Sequence, residues 1–467
     1  MRPAQTHFGK ESSDLRIVIV GAGEVGFHLA ERFSRENKDV VVIDLSGVAL
    51  KRVSENLDVQ TIKGSGSSPR VLKDAGITGA EVLLAVTNSD EINLIACFFA
   101  NELSPQTRKI VRIRNDEYTD FKGALAKDLL NISMVINPDV EVVNSILRII
   151  EAPGAVEVKD FADGRVKMIG VPLPEGSEFD GMKLMHLREH LDGLHIIIAA
   201  IIRDDRLIIP KGSDRLRSGD LIYLVCQAGD LLESLKLFGA RGQSIRNVLI
   251  IGGGKIGYLL AKALDSRSIN TKIIDMEPRR GDFLSSELDK AIVLLGDGTD
   301  HELLQEENIA DMDLVVALTG DEETNILSCL LAKRLGAAKT ITRINKFAYM
   351  PLVKAIGVNH IVSPRLSAIN SILHNIRKGK VISAVSIKND EAEVLEAEAL
   401  SSSVLVGRPL KDLSLNKVAL LVCIIRGESV IIPMGETVIK PKDHLIILST
   451  QKNIPRVEQF LAGQAES

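Results

Sequence analysis

The chain has 467 residues, enough for about three domain-sized cores, and its 45% hydrophobic and 25% charged residues are an ordinary globular composition. A formal net charge of -5 argues against nucleic acid as the main partner, because a polyanion would be repelled on average. Cys97, Cys226, Cys329 and Cys423 sit in apolar runs without CxxC spacing, which disfavours a disulfide frame or a zinc site and predicts buried, reduced thiols.

Residues 1–14 are polar and lack the apolar core of a secretory signal, so a disordered tail is expected there. From Ile17 the chain reads IVIVGAGEVG, an apolar strand, a glycine loop and the start of a helix. DVVVID, VQTI, VLLAV, a helix from Asp90 and KIVRI follow. Continuous Val/Ile/Leu strands alternating with helices predict a doubly wound parallel sheet, an α/β Rossmann-like domain over residues 15–152. That span closes with a linking helix in which Val140, Val143, Ile146, Leu147 and Ile150 share one face. This helix reads either as a packed connector or as a hinge or dimer contact.

Residues 153–240 are dominated by strands with turns at DD, KGSD and SGD, a small α+β domain. Its longest apolar run, Ile196 to Ile202, is far short of the roughly 18 residues that cross a bilayer. The pattern then starts again at VLIIGGGKIG. A second Rossmann-like domain with its linking helix is predicted over 245–378, and a second small domain over 379–463. Gly21, Gly23, Gly26 and Asp44 recur as Gly252, Gly254, Gly257 and Asp275, and Pro138 and Asn144 recur as Pro364 and Asn370. The chain is a tandem duplication.

GxGxxG alone is weak evidence. Here both copies follow an apolar strand, open a helix and have an acid at the end of the next strand, which together point to adenine nucleotides. Gly21 and Gly252 permit the tight turn, Gly23 and Gly254 let backbone approach phosphate, and Gly26 and Gly257 let the helix pack close. Asp44 and Asp275 would accept hydrogen bonds from ribose, and their charge disfavours the 2′-phosphate of NADP. The residue after the second glycine changes from Glu24 to Lys255. Like charges about 4 Å apart cost roughly 1 kcal/mol in water and about 4 at an effective dielectric of 20. Glu24 is therefore expected to favour the less charged NAD(H), and Lys255 to tolerate ADP or ATP, unless both side chains point to solvent. Val25 and Ile256 inside the loops, and Leu45 and Met276 after the acids, complete the loop set.

Gly64 and Ser65, like Gly296 and Asp297, follow the third strand and could line an adenine pocket. Thr87, Asn88, Asn93 and their counterparts Thr319, Gly320 and Asn325 surround the start of the helix after the fourth strand, where Asp90 and Asp321 read as caps. Arg112 and Arg343 end the fifth strand, at the sheet edge where such folds bind ligands, and could contact phosphate or a neighbouring subunit. HLREH, from His186 to His190, matches a zinc pattern but has no counterpart in the second copy and no third ligand, and reads as a chance match. No paired-carboxylate or Ser/His/Asp arrangement recurs in the two halves.

The order of these units, with GAGEVG and Asp44, GGGKIG and Asp275, GDGT and the IIP turns, resembles the TrkA family from about Asp14 to Leu461. These are cytoplasmic regulatory subunits of bacterial Trk potassium uptake, built from two tandem RCK (regulator of K+ conductance, or KTN) modules. The resemblance implies a Rossmann-like N-subdomain and a small C-subdomain in each half, and no enzyme activity. It also implies a homotetrameric ring at the inner face of the plasma membrane, docked on a membrane potassium transporter of the Trk type. NAD(H), ADP and ATP would bind the Rossmann units and bias gating, which requires different affinities for two conformations. The matching residues are the loop glycines, both acids and both strand-ending arginines; Ser65 stands where the family carries an acid. Two alternatives from other classes are an NAD-dependent dehydrogenase, which would need a catalytic domain, and a soluble nucleotide sensor with no channel partner.

Overall fold

The computed structural model describes residues 16–120, 130–191, 193–240, 244–358, 360–376, 381–387 and 391–463; the tail expected over 1–14 lies outside them. The first sheet comprises β1 (Arg16–Val20), β2 (Asp39–Asp44), β3 (Gln60–Lys63), β4 (Val82–Ala85), β5 (Arg108–Arg112) and β6 (Ile132–Ile136). All its pairs are parallel, in the order β3-β2-β1-β4-β5-β6. The strand sequences explain the arrangement: β1, β2 and β4 are almost wholly buried, as strands covered on both faces must be. Strand order reverses between β1 and β4, so the loops after them diverge at the carboxyl edge and leave the crevice where doubly wound sheets bind ligands.

This sheet belongs to a compact unit that runs to Glu141 and also takes in Pro364–Ile372. The latter segment brings Ala368, Ile369 and Ile372, all buried.

The second compact unit holds three sheets. Antiparallel β7 (Glu157–Phe161), β8 (Val166–Pro172), β9 (Ile196–Arg203), β10 (Arg206–Ile208) and β11 (Leu221–Gln227) form the first small sheet. A second parallel sheet follows, with β12 (Asn247–Ile251), β13 (Asn270–Asp275), β14 (Ile292–Leu295), β15 (Leu314–Ala317), β16 (Thr340–Arg343) and β17 (His360–Val362). Its order, β14-β13-β12-β15-β16-β17, repeats that of the first. The second small sheet contains β18 (Val381–Ile387), β19 (Ala392–Glu398), β20 (Ala419–Arg426), β21 (Ser429–Ile431) and β22 (His444–Thr450), in the topology of its counterpart. One face of each small sheet is buried against the other, in a shared core that includes Met168, Tyr223 and Val225 with Val394, Cys423 and Ile446.

The linking helices depart from the domain limits expected from sequence. Helix Pro138–Glu151 puts Val142, Val143, Ile146, Leu147 and Ile150 into the core beneath β12, with Val248, Ile250, Leu260, Ile273 and Val316, rather than into the repeat it follows. The helix is therefore a core element of the second Rossmann sheet. The apolar stripe fixed only that a face must be buried, and two near-identical sheets could have buried it. Among the described residues no helix is long and apolar enough to cross a membrane.

Candidate functional site

Both glycine loops leave their first strand through a left-handed residue, Gly21 at φ 111° and Gly252 at φ 101°, a conformation that favours glycine. A methyl group on Gly26 or Gly257 would collide with the carbonyl oxygen of Gly21 or Gly252, so the third glycine is required by the close return of the helix. Gly23 and Gly254 are the residues at which helices Glu24–Arg35 and Lys255–Asp265 open, and neither receives a side-chain cap. A Cβ on Gly23 would meet nothing within 4 Å. Each helix start thus presents backbone N–H groups with no side-chain cap at its first residue, the arrangement that suits a phosphate. Val25 and Ile256 are buried in the core, so only their backbone is available on the loop side.

Each acid braces its loop. Asp44 accepts hydrogen bonds from the Ala22 N–H at 2.6 Å and the Ser46 N–H at 2.7 Å. Asp275 accepts from Gly253 at 2.7 Å and Glu277 at 2.9 Å. One carboxylate oxygen therefore holds the glycine loop and the other holds the turn after the strand. Leu45 and Met276, just beyond, are exposed apolar residues at the crevice edge.

The two loops differ in what flanks residue 24 and its counterpart. Glu24 Oε1 pairs with Arg52 Nη1 at 2.5 Å, and the Arg52 guanidinium lies 4.1 Å from the centroid of Phe27. The hydrogen bond from Arg52 holds the Glu24 carboxyl below the usual carboxylate range. The Glu24 side chain thus neither points freely to solvent nor presents an unscreened charge, which corrects the simple repulsion expected from sequence. In the second copy the aromatic pair Tyr258–Phe283, with centroids 5.4 Å apart, occupies the equivalent positions. Arg280 approaches that loop, its Nη1 3.9 Å from Asp275 Oδ2.

After β3, the Ser65 and Ser67 hydroxyls are 2.7 Å apart, and in the second copy Asp297 accepts from the Thr299 N–H and hydroxyl, both at 2.8 Å. Ser65 and Asp297 thus brace their own turns beside Gly64 and Gly296. Sequence reasoning passed over Gly66 and Gly298, where a Cβ would strike Val20 or Ile251; the repeated GSGS and GDGT were the available signal.

The residues after β4 form an internal brace. Asn93 is fully buried; its Oδ1 accepts from the Thr87 N–H and hydroxyl, and its Nδ2 donates to the Arg112 carbonyl at 2.9 Å. Asn325 repeats this with Thr319 and the Arg343 carbonyl. Arg112 donates through Nη1 to the Thr87 carbonyl at 3.1 Å and Asn88 Oδ1 at 3.0 Å, and Arg343 to the Thr319 carbonyl at 3.3 Å. Burial pushes the Arg112 guanidinium down to about 10, and its buried Nε has no hydrogen-bond partner among the described residues. Gly320 stands where Asn88 does and leaves open space. Asp90 is not the cap expected from sequence. Ser89 caps that helix, and Asp90 accepts the Arg114 and Asn115 N–H groups at 2.8 Å, as Glu322 does for Asn345 and Lys346. Asp321 does cap its helix.

HLREH lies in a 3-10 helix, where the His186 ring nitrogen Nδ1 stands 3.6 Å from Glu189 Oε1. All four cysteines are buried and unpaired.

Comparison with known proteins places this geometry. The TrkA-N domain family matches residues 17–138 and 248–364, and the TrkA-C domain family matches 168–239 and 394–462. The Trk system potassium uptake protein TrkA of Halomonas elongata is 37% identical over 94% of this chain and 96% of its own length. That of Azorhizobium caulinodans is 35% identical over 97% and 100%. Among solved structures, the GsuK RCK domain superposes with a TM-score of 0.58 at 19% identity, covering 99% of this chain and 98% of that one. The GsuK channel bound to NAD gives 0.59 at 20% identity, covering 97% and 80%.

Proposed function

The chain belongs to the TrkA family, and from that membership we propose that it is a nucleotide-responsive regulatory subunit of a membrane potassium transporter of the Trk type. It works as a homo-oligomer, a tetrameric ring, peripheral to the inner face of the plasma membrane, and has no catalytic role of its own. The observation that carries this reading is the duplicated glycine loop, each copy tied by an acid to the next strand and each opening an uncapped helix.

The residues fit an adenine nucleotide. Gly23 leaves room for close approach, the helix N–H groups suit phosphate, and Asp44 and Asp275 retain acceptor capacity for ribose hydroxyls. Gly64, Ser65, Gly296 and Asp297 would border the adenine, and Arg112 and Arg343 would face the phosphates from the fifth strand. The GsuK channel, similar in fold, is bound to NAD; that ligand class is extended here to the first loop, with ADP or ATP admitted by the second through Lys255. Each nucleotide adds differential stability to one ring conformation and so biases the transporter.

The test is potassium flux through vesicles holding the cognate membrane protein, with and without this chain, across NADH and ATP concentrations. Nucleotide-dependent flux that requires this chain supports the reading. Unchanged flux, or substrate-dependent NADH turnover by the chain alone, overturns it.

A further inference from the structure

We infer that His444 and Glu396 form a proton-sensitive latch, by which the second small sheet grips the β7–β8 turn of the first more tightly as the pH falls through the range in which histidine ordinarily takes up a proton. The latch draws on no property of the glycine loops.

The turn between β7 and β8 passes through two consecutive left-handed residues that are not glycine, Ala162 at φ 52° and Asp163 at φ 55°, a conformation that side chains disfavour. Two contacts from the second small sheet hold this hairpin. The Ala162 N–H donates to Glu396 Oε2 at 3.2 Å, and Arg165 Nη1 donates to the Gly427 carbonyl at 2.8 Å. The Glu396 side chain, on β19, is only 5% exposed, and its other oxygen, Oε1, lies 3.6 Å from His444 Nδ1 on β22. That nitrogen is buried and has no hydrogen-bond partner among the described residues, while 36% of the His444 side chain is exposed. Protons from solvent can therefore reach a ring whose Nδ1 stands against the carboxylate.

The pair lines one wall of a cavity of about 530 Å³. Its other charged walls are Asp160, Asp163 and Lys167 from the hairpin, Arg148 and Glu151 from helix Pro138–Glu151, and Arg267 from the second Rossmann domain. Arg148 and Lys167 pair with Asp160, and Lys167 and Arg267 with Glu151, so these cations have carboxylates of their own. On the sheet, Glu398 stands opposite His444 in the strand register, Arg426 pairs with Asp443, and burial pushes up the Cys423 thiol beside Glu396. An imidazolium at His444 thus meets an excess of acid, with Glu396 at closest approach, whereas the neutral ring brings no charge to that carboxylate. The added hold is present on the acid side and is lost as the pH rises. Strand register places Gly170 and Leu221 of the first small sheet where the second has Glu396 and His444, so the same sheet forms without the pair.

The experiment is hydrogen–deuterium exchange of the full chain at about pH 6 and pH 8, corrected for the intrinsic pH dependence of exchange and read by mass spectrometry on the peptide that carries Ala162. The parent should be protected about three- to fivefold more at the lower pH, the size of a partly exposed ion pair. His444→Leu installs the residue that the first sheet carries at this register, and circular dichroism checks that the fold holds. It should remove the pH difference and leave protection at the level the parent shows at the higher pH. His444→Lys, charged at both values, should keep the greater protection throughout. A pH difference that survives in His444→Leu, or none in the parent, overturns the inference. Equal loss of protection at both pH values in His444→Leu also overturns it, since that is the mark of packing alone.

Discussion

Arg52 reaches across the first glycine loop to Glu24 at 2.5 Å, and the residue that repeats its position in the second half, Phe283, packs instead on Tyr258. The two halves thus fill one groove between the loop helix and the next helix in different ways, an ion pair over an aromatic ring against two aromatic rings. Arg52→Gln leaves Glu24 without this cation. The expected outcome is weaker ATP binding at the first loop, with NADH less affected, measured by calorimetry in an Asp275→Ala background. Equal losses for both nucleotides would mean that the pair does not set preference.

Asp44 and Asp275 each bond two backbone N–H groups, so their replacement removes a brace as well as a ribose acceptor. Asp44→Asn keeps the shape but loses charge-assisted bonds worth about 1.5–3 kcal/mol each. NADH affinity is expected to fall on the order of 10–100-fold, read by fluorescence titration.

The glycines separate packing from binding. Gly26→Ala forces a methyl group against the Gly21 carbonyl and should cost at least about 1–3 kcal/mol of stability in thermal unfolding. Gly23→Ala enters open space; it should leave unfolding almost unchanged yet weaken nucleotide binding.

Much of this was legible in the sequence. Apolar runs gave the strands, the offset repeats gave the duplicated order, and the acid after the second strand stood where a loop acid was expected. The misreadings share one cause, since a pattern shows that a group needs a partner without naming it. Asp90 looked like a cap because it opens a helix, but Ser89 precedes it and frees Asp90 to hold the Arg114 and Asn115 N–H groups. Arg52 and Arg280 lie one helix away from the glycine motif, beyond any local spacing rule. Asn93 and Asn325 are buried braces whose role emerges only when β5 or β16 is placed beside the helix.

The linking helix is a structural member of the second Rossmann sheet. Ile146 is fully buried in that core, so Ile146→Ala should destabilise it by about 2–5 kcal/mol, visible as a lower denaturant midpoint. Val140→Ala, at an exposed position on the same helix, should shift the midpoint little.

Burial pushes the Cys97 and Cys329 thiols up to about 12 and Cys226 up to about 11, with Cys423 higher still. The reactive thiolate is therefore scarce at neutral pH. A thiol reagent should label none of the four in the native chain and all four after denaturation. At both pH 7 and pH 9 labelling should stay far slower than that of a free thiol, because both lie well below these raised values.

The most direct test of two non-equivalent nucleotide loops is to measure NADH and ATP binding to Glu24→Lys and Lys255→Glu variants beside the parent. Glu24→Lys should raise ATP affinity at the first loop, and Lys255→Glu should lower it at the second, so the NADH-to-ATP preference moves in opposite directions. If neither substitution alters that preference, the charge inversion between the repeats does not distinguish their ligands and the account of two unlike sites is wrong.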